Sequence, residues 1–165
     1  MLSHGGVIGA AGASAGSTLL VGDNTTPSGF DAIDGNYFFF NWNHWTASAS
    51  GTPATIYVYL GSNLTASHIV AAIYDSDNAL VAQSSAISIT ASAWNACPIT
   101  GTPGSITSGS TYRVGYVPDG NINTGRRTTT WRSGKRASTY PAVPANLSSS
   151  ISNEAPPEPA IYVMS

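Results

Sequence analysis

Charge is the scarcest property of this chain. Six Lys or Arg and eight Asp or Glu make up 8% of its 165 residues, against roughly 25% in ordinary soluble domains. A formal net charge of −2 leaves no field that would draw in nucleic acid or an anionic membrane. So little surface charge is also a weak guard against association. The single cysteine, Cys97, excludes an intrachain disulfide framework and, beside Pro98 in a strand-like run, reads as a buried, inert thiol. No apolar run approaches the roughly 18 residues of a helical membrane span. Helical periodicity is missing throughout, while Gly and Pro number 17 and 10. Reactive motifs are missing too: there is no G-x-S-x-G elbow and no P-loop. His4, His44 and His68 are scattered without zinc spacing. Both glutamates, Glu154 and Glu158, sit in a proline-rich stretch that is a poor place to hold paired carboxylates. The expectation is a non-enzymatic protein with no catalytic residue, no metal and no cofactor.

What is present is strand pattern. In Thr55 to Leu60, Ile56, Val58 and Leu60 alternate with Tyr57 and Tyr59, so the aliphatic face belongs in a core and the tyrosines at a partly exposed face. Ile69, Ala71 and Ile73 repeat the alternation. Asp75-Ser76-Asp77-Asn78 reads as a turn, with an ion-binding loop as the lesser alternative, and Ala79 to Gln83 returns, making 68–84 a hairpin. Short runs follow from Ile87 and from Trp94 to Ile99, and Tyr112, Val114 and Tyr116 share a face in Thr111 to Val117. Upstream, Ser17 to Val21 is β-compatible. The aromatic run Tyr37-Phe38-Phe39-Phe40 places Tyr37 and Phe39 on one face and Phe38, Phe40 and Trp42 on the other. With both faces apolar, that strand belongs between two layers or at a subunit contact. Ala160 to Met164 reads as a last strand, and placing it beside the first protects both edges.

These signals predict an all-β fold, an antiparallel β-sandwich of jelly-roll type with about eight or nine short strands. The length suits one domain with a real core. It divides into an extended arm over 1–16, holding five Gly and four Ala, and a single domain over 17–165. Within that domain, 118–159 is expected to be irregular loop before the closing strand, with Arg126 to Arg132 as a candidate strand inside it. The arm has small residues but no Lys/Arg-rich start and a broken apolar run, so no cleaved signal is read.

Residues 54–117 resemble the small jelly-roll modules of bacteriophage structural proteins and related glycan-binding sandwiches. The resemblance is carried by TIYVYLG, IYDSDNALVAQS, a Trp-Asn strand and TSGSTYRVGYVPDG, with AIYV at 160–163 similar to the closing strand of such modules. It implies a virion structural protein, a head decoration (cement) protein or related head or tail component. Such a protein is made in the host cytoplasm and carried in the particle. The implied partners are other copies of itself, with a trimer as the first expectation, and the major capsid or other virion proteins. Neither nucleic acid nor membrane is expected. The alternative is a carbohydrate-binding adhesin module of a phage or bacterial surface structure.

Three stretches are candidate contact sites. In the arm, Val7 and Ile8 are the apolar residues suited to clamp a neighbour. Phe38 and Phe40 are candidates for a subunit or capsid contact. Five of the six basic residues cluster as Arg126, Arg127, Arg132, Lys135 and Arg136 around Trp131. That cluster suits a subunit contact, a solvated loop, or a patch for phosphate or sulfate groups, although a strand there would send alternate residues to opposite faces. For the carbohydrate alternative, Asn41, Trp42, Asn43, His44 and Trp45 offer stacking rings and amides, with Tyr57, Tyr59 and Trp94 as an extension.

Overall fold

The alternation of Thr55–Leu60 is realised as read. In the computed structural model Ile56, Val58 and Leu60 are fully buried, and Tyr57 and Tyr59 stand half-buried on the opposite face. The structure describes residues 16–62, 65–126, 132–147, 152–157 and 159–165. Val7, Ile8, Arg127 and Trp131 lie outside the described residues, and Arg132 and 152–157 are described by backbone alone.

The described residues contain no helix and fourteen strands. These are β1 (Leu19–Gly22), β2 (Gly29–Ile33), β3 (Tyr37–Asn41), β4 (Trp45–Thr46), β5 (Thr55–Leu60), β6 (His68–Tyr74) and β7 (Leu80–Ser84). The remainder are β8 (Ile87–Ser88), β9 (Ala93–Thr100), β10 (Thr111–Pro118), β11 (Ile122–Arg126), β12 (Arg132–Ala137), β13 (Ser152–Pro157) and β14 (Ile161–Met164). Every pairing is antiparallel. Eight principal strands pair as one long hairpin rolled up: β1 with β14, β3 with β10, β5 with β9 and β6 with β7. Two further pairings, β14 with β5 and β10 with β6, complete the sheets β1-β14-β5-β9 and β3-β10-β6-β7. This is a jelly roll, here called sheet A and sheet B. β9 crosses between them, pairing β5 up to Pro98 and β7 through Ile99 and Thr100.

The strand count exceeds the eight or nine expected, because six short strands extend the sheets. β2 and β11 form a ribbon that joins sheet A where Thr124 meets Leu60. β12 and β13 widen sheet B beyond β3, and β4 and β8 are two-residue additions. The irregular 118–159 region expected from sequence is therefore corrected: it holds β11, β12 and β13. Of the candidate strand from Arg126 to Arg132, Arg126 ends β11 and Arg132 begins β12, and 127–131 lie outside the described residues. β12 reads RSGKRA without alternation because its pairing partner supplies the apolar bulk. A Cβ on Gly134 would lie 2.5 Å from the Phe40 ring, so the aromatic strand fills the space that a side chain of β12 would occupy. Pro156 and Pro157 are tolerated in β13 because that strand pairs with β12 alone, and an edge strand has no second ladder to lose.

Two apolar clusters result. The larger lies between the sheets and joins Ile56, Val58, Leu60, Cys97, Ile161 and Val163 to Phe39, Ile69, Ala71, Ile73, Val114 and Tyr116. The second covers the outer face of sheet B, where Phe38, Phe40, Val70, Ala72, Tyr74 and Val117 meet Leu147, with Tyr140 and Val143 packed against them. The segment 138–147 is thus a third layer. It is tied down by the Tyr74 hydroxyl donating to the Pro144 carbonyl at 2.6 Å and by Leu147 N–H donating to the Asn78 carbonyl at 3.0 Å. Gly115 permits the layering. A Cβ there would lie 2.1 Å from the Phe39 carbonyl oxygen and 2.8 Å from the Phe38 ring.

Two outcomes follow from the layering. Phe38→Ala should lower unfolding free energy by about 3–5 kcal/mol in a denaturant titration, the range for emptying a core aromatic site. A loss below about 1 kcal/mol, the scale of a surface change, would show that the third layer is not closed over it. Burial pushes the Cys97 thiol up to about 12. The native protein should therefore not react with a disulfide reagent near neutral pH and should react fully in denaturant.

Candidate functional site

The structure separates residues that the sequence grouped. Phe38 and Phe40, expected at a subunit contact, are both 0% exposed. Their contact surface is the chain's own 138–147 layer, so that expectation is corrected. Asn41 is equally buried and fully employed: its Oδ1 accepts from Val114 N–H at 2.6 Å, and its Nδ2 donates to the Asn43 and Tyr112 carbonyls. It pins the end of β3 to β10 and has no bond left for a ligand. Trp42 packs with the outer cluster and Trp45 with the inter-sheet core. The two rings thus serve different sides of sheet B, and 41–45 forms no single stacking platform. Asn43 is exposed.

Trp42 instead closes a polar knot around Arg113, a residue that sequence reasoning passed over. Arg113 is 8% exposed. Its Nε donates to the Trp42 carbonyl at 3.2 Å, its Nη1 donates to Asn78 Oδ1, and its guanidinium lies 5.5 Å and 5.8 Å from the Phe40 and Trp42 ring centroids. Cation–π contact and hydrogen bonds take the place of a carboxylate partner. The His44 Nε2 atom is buried nearby without a hydrogen-bond partner. Burial first, and then the positive charge of Arg113, lower its pKa against an opposing effect of Asp75. The neighbouring 75–78 segment is a turn in which Asp75 Oδ1 accepts from Asp77 and Ala79 N–H groups. Among the described residues no group of three His, Cys, Asp or Glu converges on one point.

The basic stretch is also divided. Arg126 lies on β11 of the sheet A ribbon, 3.6 Å from Asp31 across to β2, a partly exposed pair worth about 0–1 kcal/mol. Lys135 and Arg136 lie on β12 of sheet B, opposite Phe39 and Phe38. Alternation sends them apart, with the Lys135 ammonium 4.9 Å from the Tyr37 ring centroid. The described residues thus hold no continuous basic face.

Two other surfaces emerge. On the outer face of sheet A, cross-strand pairs put Tyr57 beside Tyr162 and Tyr59 beside Trp94. Tyr57 and Tyr162 stack at 4.7 Å. Trp94 and Tyr162 lean together over β5 at 4.8 Å, Trp94 meets Tyr59 edge-on at 5.3 Å, and Phe30 extends the group 6.0 Å beyond Tyr59. The Tyr57, Tyr59, Trp94 and Tyr162 rings are half-buried, and Phe30 is 45% exposed. Tyr57, Tyr59 and Trp94 were legible as an exposed face, whereas Phe30 and Tyr162 join them only through strand order. The four principal strands of sheet A, LLVG, TIYVYL, AWNACPIT and IYVM, contain no charged residue.

At one end of the sandwich, loops gather polar groups. Gly35 sits against Gly120 and donates to Asn121 Oδ1 at 3.0 Å. Between the β2–β3 turn and the end of β12 lies an open cleft of about 650 Å³, lined by Asp34, Gly35, Asn36, Tyr37, Ala137, Ser138 and Thr139. Nearby in the fold, Asp119 follows β10 and binds the start of β6: Oδ1 accepts from Ser67 and His68 N–H groups, and Oδ2 meets His68 Nδ1 at 3.0 Å. Desolvation would raise the Asp119 carboxyl, but the His68 and Ser67 hydrogen bonds outweigh it and hold its pKa below the ordinary value.

A depressed carboxylate stabilises the fold above its unfolded pKa of about 3.9, and the gain is lost as pH falls through the folded value. Melting temperature should accordingly drop more steeply below about pH 4 in the wild type than in Asp119→Asn, as read by circular dichroism. Parallel curves for the two proteins would rule out this linkage. Comparison of the chain with protein-family models, curated proteins and solved structures finds no match.

Proposed function

We propose that this protein is a non-enzymatic structural module of a virion surface, of the decoration type its sequence resembles, that works by burying an uncharged sheet face against another copy of itself. The supporting observation is the outer face of sheet A: half-exposed aromatic rings on strands without a single charged side chain. A broad apolar face left in water is a hazard for a solitary protein and an asset for an assembled one. Tyr and Trp are the residues that most often carry binding energy at protein contacts. A second copy suits the face because a neutral aromatic surface complements itself, with no charge to be matched across the contact. The polar knot at Arg113 and the three-layer packing of sheet B serve the module's own rigidity.

Sedimentation over a range of protein concentrations tests this reading. The wild-type chain should form a concentration-dependent oligomer. The double variant Tyr57→Lys, Trp94→Lys should sediment as a monomer with a melting profile that remains cooperative. A wild type that stays monomeric at every concentration, or an oligomer that survives the double substitution, overturns the proposal.

A further inference from the structure

We propose that the cleft between the β2–β3 turn and the end of β12 is a binding subsite for a neutral saccharide. The cleft, of about 650 Å³, lies within the range of roughly 300–1,000 Å³ typical of small-molecule sites. Its lining selects the ligand class. The Asp34 carboxylate, the Asn36 amide, the Tyr37 hydroxyl and the Thr139 hydroxyl have no hydrogen-bond or ion-pair partner among the described residues. Together they offer two acceptor oxygens, an amide that donates and accepts, and two hydroxyls, and these match the vicinal hydroxyls of a pyranose.

Other ligand classes fit less well. An anion would meet the Asp34 carboxylate in the lining, and the lining itself holds no Lys or Arg. A divalent cation needs several oxygen ligands around it, usually including more than one carboxylate, and the lining supplies one. An apolar ligand would strip water from Asp34 and Asn36 without returning a hydrogen bond, a cost that excludes it.

The cleft is also preformed. Ser138 N–H donates to the Asn36 carbonyl at 3.0 Å, and Ser138 Oγ donates to the Ala142 carbonyl at 2.6 Å. The opposite wall is fixed where Gly35 abuts Gly120, since a Cβ on Gly35 would lie 3.0 Å from that glycine's backbone. Asn36 holds a positive φ of 69°, a conformation that Asn tolerates better than most residues. Walls fixed in this way reduce the ordering cost of binding. The cleft shares no lining residue with the aromatic face of sheet A, so it can be present whether or not the chain self-associates.

The test is a two-dimensional amide NMR titration of the full chain with the methyl pyranosides of glucose, galactose, mannose and N-acetylglucosamine, each taken into the millimolar range. Calcium chloride alone is a separate arm. At least one pyranoside should shift the amides of Gly35, Asn36 and Thr139 saturably, and Asp34→Ala should weaken that binding about tenfold with an unchanged melting temperature. Thr139→Val, at an exposed position, should weaken it in the same direction. The proposal fails if none of the four sugars shifts these amides, or if the shifts fall on Tyr57 and Trp94 instead. It also fails if calcium chloride alone reproduces the response, or if Asp34→Ala binds as tightly as the wild type. Because the readout is local to the cleft, its failure leaves the assembly proposal standing, and the converse holds.

Discussion

The central strands of sheet B, β3, β6 and β10, are buried on both faces, and the other features of the molecule depend on how that is arranged. Successive residues of β6 and β10 point alternately into the inter-sheet core and into the outer cluster beneath 138–147. The close approach of β3 to β10 leaves no room for a side chain at Gly115. The covering segment is irregular and carries polar backbone, so it needs specific anchors as well as apolar contact. Tyr74 supplies one through Pro144 and Asn78 a second by accepting from Leu147 N–H, while the Asn78 side chain accepts from Arg113. Arg113 is thereby held in the interior by ring faces and neutral acceptors, which is the means by which so few charges can be used inside a small sandwich.

The described surface divides into regions of different chemistry. The exposed side of sheet A is aromatic and uncharged. The loop end that gathers the β2–β3 turn, Asp119, Asn121 and the end of β12 is polar. The described basic residues of the 126–136 stretch are divided between β11 and β12, which dilutes the electrostatic concentration that would have favoured a polyanion. The polar cleft and the neutral aromatic face are thus separate surfaces of one module. The aromatic pairs on sheet A steady that face, since ring pairs add about 0.5–1.5 kcal/mol beyond their area burial.

Much of this was legible in the residues because strand alternation is a local property. The faces of Thr55–Leu60, His68–Tyr74 and Thr111–Pro118, the division of Tyr37 and Phe39 from Phe38, Phe40 and Trp42, the 75–78 turn and the pairing of the last strand with the first were all readable. β12 and β13 were not. A strand that packs Gly134 beneath a neighbour's phenylalanine has no apolar signature of its own, and an edge strand containing two prolines resembles a loop.

The sequence by itself determined the fold class and the identity of the core faces, which depend on residue type at a period of two, and the poverty of charge, which is composition alone. Only the tertiary structure decided what covers what. Phe38 and Phe40 became interior because residues about 100 positions later fold over them. Trp42 and Trp45 parted because the chain turns between β3 and β4. Tyr162 met Trp94 because the roll places β14 and β9 on either side of β5, and Asp34 came to face Thr139 because β12 pairs with β3. These are pairings across long stretches of chain, set by which layers can pack together, and no local pattern encodes them.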